Sequence, residues 1–104
     1  MSDDEETGFQ VTLEPEGSSL RIVVAGELDI ATVPEVTPHV SADGDAQAVV
    51  LDLRAVTFID STGLRLLLEA HDALRERLRI VPSAACERLF EITGVRDRLP
   101  LAGA

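Results

Sequence analysis

VVLDLRAVTFIDSTGLRLLLEAHDAL, residues 49–74, passes from one hydrophobic period to another, and that change decides the fold. Its first residues, with Ala48, form the run AVVLDL (48–53), apolar on both faces except at Asp52. Such a run predicts a central strand that is covered on both sides or flanked by parallel neighbours. From Leu64 the stripe continues at Leu67, Leu68, His71, Leu74 and Leu78, with Arg65, Glu69, Asp72, Arg75 and Glu76 elsewhere, which is the spacing of an amphipathic helix. Between the two lies FIDSTGL (58–64), which puts an acid, two hydroxyls and a glycine where strand gives way to helix. Asp, Ser and Thr are favoured there because their side-chain oxygens accept from amides that have no partner within the helix. A cap at Asp60 or Ser61, with Gly63 tolerated in the first turn, accounts for these residue types with no further role.

Upstream, FQVTLE (9–14) alternates apolar and polar residues, as a strand with one buried face does. PEGSS (15–19) turns it, and LRIVVAG (20–26) returns as the second arm of a hairpin with Leu20, Ile22 and Val24 on one face. Val33, Val36 and Val40 then fall at nearly helical spacing. Pro34 suits a first turn, but Pro38 disturbs a helix interior, so this element is short, irregular or kinked. Downstream, LRIVP (78–82) reads as a strand, and AACERLFEITG (84–94) as a second helix through Cys86, Leu89, Phe90 and Thr93, capped by Gly94. RLPLAGA (98–104) leaves room for one short final strand. The order predicts an α/β (α+β) domain, a mixed four- to five-stranded sheet with right-handed crossovers and helices packed mainly on one face. FIDSTGL then lies beyond the carboxyl end of the central strand, where open sheets of this class place their sites.

The 104 residues suit a single domain over 9–104, preceded by an acidic tail at 1–8 that is expected to be disordered. Three phenylalanines are the only aromatics, so Val, Leu, Ile and Ala must build the core. No apolar stretch approaches the length of a membrane span, and MSDDEETG is the opposite of a secretory leader, which predicts a cytoplasmic protein without membrane attachment. Nineteen acids against nine bases, all of them Arg, give a formal net charge of −10. Such a chain repels nucleic acid and anionic lipid, so direct binding to either is not expected. The single Cys86 reads as a small buried side chain.

Catalytic readings are weaker. Ser61 sits in neither a G-x-S-x-G elbow nor an S-x-x-K arrangement, and His39 and His71 are the only imidazole bases. His71 falls on the apolar stripe of its helix, where packing is the simpler role. No metal-ligand spacing appears, and GSS (17–19) is a hairpin turn, so neither a metal nor a cofactor is expected.

In their order and spacing, GELDIATVPEV (26–36), residues 49–74 and IVPSAACERLFEITGV (80–95) together resemble the STAS domain family, and within it the stand-alone anti-sigma factor antagonists of bacteria. The likeness covers roughly residues 9–101 and is most specific at DSTGL after the VVLDL strand. It implies a regulatory switch without catalytic activity, monomeric when free. A partner anti-sigma factor that is a serine kinase phosphorylates the matched serine. Only the unphosphorylated form binds that partner and frees the sigma factor, and a phosphatase restores the serine. Carried over, Ser61 matches the phosphoacceptor, Asp60 its acidic neighbour, Gly63 the small residue of the turn, and Asp29 an acid of a neighbouring loop near the partner. The implied partner surface is Asp29, Asp60, Ser61, Thr62, Gly63 and Arg65. The usual glycine pair between the leucine helix and the next strand is replaced by ALRERLRI, and the sequence ends at Ala104 without the closing helix of many members. Two other readings are an unswitched STAS scaffold or transporter-associated subunit, in which Ser61 is only a cap, and a small enzyme.

Overall fold

The alternating residues at the start of the chain form β1 (Gln10–Glu16), which turns through Gly17 and Ser18 into β2 (Ser19–Leu28). Gly17 takes φ 61°, the left-handed value that a two-residue hairpin loop requires at its first position and that glycine adopts without strain. The computed structural model, which describes residues 8–102, continues with α1 (Val33–Val36), β3 (Ala48–Ile59), α2 (Ser61–Leu74), β4 (Leu78–Val81) and α3 (Ala84–Thr93). The acidic tail expected at 1–8 lies, Gly8 apart, outside the described residues. The sheet order is β1-β2-β3-β4, with β1 antiparallel to β2 and β3 parallel to both of its neighbours. Parallel neighbours need crossovers, supplied by the α1 segment between β2 and β3 and by α2 between β3 and β4. The final segment contributes a single parallel bridge, Leu101 to Ile80, so the described sheet has four strands and no fifth.

One face of the sheet carries the core. Ile22, Val24 and Leu28 of β2, Leu51 and Leu53 of β3, and Leu78 and Ile80 of β4 are fully buried with Leu67 of α2 and Cys86 and Phe90 of α3. The opposite side of the same strands is looser: Arg21, Val23 and Val50 are half-buried, and Arg54 and Arg79 are exposed. β3 is therefore central because parallel strands flank it, not because both of its faces are covered.

Several elements differ from the sequence expectation, each for a local reason. β3 runs to Ile59, well past the AVVLDL segment, because register shifts against β2 move the buried positions to Leu51, Leu53, Val56 and Ile59 and so break the two-residue period. β1 buries Phe9 just before it and half-buries Val11, but Leu13 is 43% exposed at the sheet's edge. α2 ends at Leu74, where Arg75 takes φ 55°, and Leu78 belongs to β4. Its buried stripe includes Leu66 and Ala70, and Leu68 and His71 lie half-buried at the margin. α1 lasts one turn and passes into a 3-10 turn, Thr37–His39, that contains Pro38, while Val36 and Val40 still reach the core. α3 matches its expected bounds, with Ser83 accepting from the Cys86 amide at 3.3 Å and Gly94 closing it at φ 73°.

Asp52, the polar residue within the central strand, is 4% exposed and fully answered. Arg54 donates to it through Nε at 3.0 Å and Nη2 at 2.8 Å, the Arg54 amide adds a bond at 3.1 Å, and Arg21 Nη1 donates at 2.8 Å. These donors hold the Asp52 carboxyl below its ordinary pKa, the Arg54 side-chain bond being the main cause, against the opposing effect of burial. A depressed native pKa stabilises the fold above the unfolded value near 3.8, and the contribution is lost as pH falls through the native value. Asp52→Asn is thus expected to destabilise by about 1–3 kcal/mol at pH 7. In denaturant titrations the gap between the two proteins should narrow as pH drops below 3.8; a gap independent of pH would show that the charge is not what stabilises.

Candidate functional site

β2 and β3 end side by side, with Leu28 paired to Ile59, so the loops that leave them are neighbours. Asp60 follows in extended backbone, φ −113° and ψ −169°, as an N-cap residue must. Its Oδ1 accepts from the Thr62 amide at 2.9 Å and the Gly63 amide at 3.1 Å, and its carbonyl accepts the first helical bond, from the Leu64 amide at 2.9 Å. Asp60, not Ser61, is therefore the cap. Ser61 is the first helical residue, exposed, with no partner for its hydroxyl among the described residues. Thr62 is half-buried, and its hydroxyl too lacks a partner there, so exposure is what separates the two adjacent hydroxyls.

Gly63 is more than tolerated. A Cβ at this position would lie 2.7 Å from Ile59 Cγ1 and 2.8 Å from the Leu28 carbonyl oxygen. The same oxygen receives the Asp60 amide at 3.4 Å, so the first turn of α2 rests directly on the end of β2. This contact joins the Ser61 turn to the loop of Asp29. Asp29 Oδ1 accepts from the amides of Ala31 at 3.0 Å and Thr32 at 3.2 Å, while Thr32 Oγ1 accepts the Asp29 amide at 2.9 Å and donates to the Glu27 carbonyl at 2.7 Å. The Asp29 carboxylate thus shapes its own turn through one oxygen and keeps Oδ2 without a partner among the described residues. Arg65, one turn beyond Ser61 on the same side of α2, is exposed and bonds Glu69 Oε2 through Nε at 3.2 Å.

The structure therefore brings Asp29, Asp60, Ser61, Thr62, Gly63 and Arg65 to one end of the sheet. Leu28 and Thr32 were not expected there. Thr32 was visible as the fourth residue of DIAT, where Asp and Thr three apart commonly tie a turn together, whereas Leu28 acts through a backbone oxygen that no residue type announces. Neither histidine reaches Ser61. His71 lies ten residues along α2, about 15 Å in axial rise, and His39 lies with Val49 and Leu74 at the other end of the sheet.

A mixed sheet with an exposed, uncapping serine at the first turn of the helix after its central strand defines a STAS-type module, and the STAS domain family model matches residues 10–103. The chain belongs to that family. It is 37% identical over 90 residues to the anti-sigma-B factor antagonist of Listeria monocytogenes, spanning 81% of this chain and 79% of that protein. An anti-sigma factor antagonist from Mycobacterium paratuberculosis superposes with a TM-score of 0.77 at 28% identity, covering 89% of this chain and 84% of the other. The Bacillus cell fate determinant SpoIIAA, solved in its phosphorylated form, shares the fold with a TM-score of 0.70 at 22% identity over 91% of each chain.

The geometry separates two kinds of substitution. Ser61→Ala is expected to change stability by less than about 0.5 kcal/mol, because Ser61 caps nothing, whereas Asp60→Ala removes the cap and costs about 1 kcal/mol. Gly63→Ala gains helix propensity yet is expected to lose about 1–3 kcal/mol net, since a backbone oxygen stands where the methyl would go. Thermal melts of the three variants rank these effects; a Gly63→Ala protein as stable as the parent would refute the close-packed first turn.

Proposed function

We propose that this chain is an anti-sigma factor antagonist, a cytoplasmic binding module without turnover of its own, monomeric when free, that is switched by phosphorylation of Ser61. The observation that carries this reading is the exposed Ser61 hydroxyl, relieved of capping by Asp60, in a STAS chain similar to an anti-sigma-B factor antagonist. The partner is an anti-sigma factor with serine kinase activity. Ser61 Oγ attacks the γ-phosphorus of ATP, the new O–P bond forms as the bond to ADP breaks, and the hydroxyl proton passes to a base of the kinase. A phosphatase reverses the state by hydrolysis, delivering inorganic phosphate and the free serine.

Charge explains why such a change switches binding. Phosphorylation adds about −1.5 to −2 at the start of α2, where the helix dipole accommodates an anion, so the fold survives it. Across an interface the added charge joins Asp29, Asp60 and a background of −10. A partner fitted to a neutral hydroxyl then meets repulsion and a buried dianion. A penalty of about 3 kcal/mol weakens binding roughly a hundredfold. The partner surface on this reading comprises Asp29, Asp60, Ser61, Thr62, Gly63 and Arg65.

Incubation with an anti-sigma factor kinase, ATP and magnesium, followed by mass spectrometry of the peptide 58–65, is expected to show one phosphate on Ser61. A Ser61→Ala protein that takes up phosphate at the normal rate overturns the acceptor assignment. In calorimetric titrations with the kinase, Ser61→Ala should bind constitutively and Ser61→Asp far more weakly; equal affinities exclude the charge mechanism.

A further inference from the structure

The first turn of α2 has little left to offer a phosphate from its backbone. The amides of Thr62 and Gly63, the donors that would otherwise close on an anion at this helix end, are both engaged by Asp60 Oδ1. The charged residues on its own turn and at the adjoining end of β2, Asp60, Asp29 and Glu27, are acids, as is Glu69 two turns along α2. The cation that the helix itself places beside Ser61 is Arg65, four residues on, where i and i+4 side chains meet on a helix surface. It is 79% exposed and held by a single Nε contact of 3.2 Å to Glu69, itself 67% exposed. In that pair the base precedes the acid, the weaker of the two orders along a helix. A phosphoserine dianion presents more charge and three acceptor oxygens, a better match than Glu69 for the guanidinium fork.

We propose that Arg65 is an internal phosphate latch: on phosphorylation of Ser61 it leaves Glu69 and folds back one turn to bind the phosphate. The latch rests on the reading of Ser61 as phosphoacceptor and concerns what the modified protein then does. The modified surface changes twice, because it gains an anion and withdraws its nearest cation, while Glu69 is left as a free carboxylate. A partner that reads Arg65 in the unmodified state loses that contact at the moment it meets the phosphate. Ser61→Asp, with a shorter and singly charged side chain, engages Arg65 poorly and so mimics the repulsion without the withdrawal.

The test uses full-length protein carrying phosphoserine placed at 61 during translation, which makes it independent of any kinase. Phosphorus NMR titrations of this protein and of its Arg65→Gln and Arg65→Lys variants report the second ionisation of the phosphate. Arg65 favours the dianion, so the parent is expected to ionise about half a unit lower than the Arg65→Gln protein, with Arg65→Lys retaining part of the difference. The Arg65 Nε–H resonance should move on phosphorylation and return as the phosphate is protonated. Coincident titration curves for parent and Arg65→Gln, or an Arg65 resonance unchanged by phosphorylation, overturn the latch. Failure of a kinase to modify Ser61 bears instead on the proposed function and leaves this measurement intact.

Discussion

The space between the Leu28 carbonyl oxygen and the first turn of α2 admits a hydrogen at residue 63 and no methyl group. Much of this end of the molecule depends on that contact. It lets the helix start immediately after β3, with Asp60 close enough to bond back to β2 while capping α2. It sets the Asp29 turn beside the serine although Asp29 and Ser61 are thirty-two positions apart in the chain. Because Asp60 performs the capping, Ser61 carries no structural task, and a residue without such a task can change its charge without cost to the fold.

Most of this architecture was legible in the sequence, and the parts that were not share a cause. The hairpin, the existence of the helix after FIDSTGL, the helix at 84–93 and the central place of β3 followed from periodicity, turn residues and caps, whereas the stripe carried the first of these helices past its end at Leu74 to Leu78. β3 was read too short because bulges move its buried residues out of a strict alternation, and irregularity of register leaves no simple period to find. The choice between Asp60 and Ser61 as cap stayed open because both residue types suit that position, and backbone geometry decides between them. The site residues themselves came from the family likeness. The carbonyl of Leu28 had no signal at all, since every residue carries one.

Charge in this protein is arranged rather than merely abundant. Arg21 and Arg54 converge on Asp52, Arg75 meets Asp72, Arg96 meets Glu87, and Arg77 donates to the carbonyls of Ala42 and Ala46. The bases are thus largely occupied within the chain, and the excess of acid faces outward. Arg65 belongs to the same pattern through its exposed pair with Glu69, one turn from Ser61.

The two edges of the sheet are finished differently. Beside β4, the backbone of Ile80 is bonded on its outer side by Pro100 and Ala102, so the terminal segment occupies that margin. β1 is open, yet Glu14, Pro15 and Glu16 stand exposed along it. Proline offers no amide to an incoming strand, and like charges on two such edges repel each other. Two copies of the chain are thereby guarded against fibril-like strand exchange along β1, and the guard lies on an edge of the sheet, apart from the end of β3 where Ser61 stands.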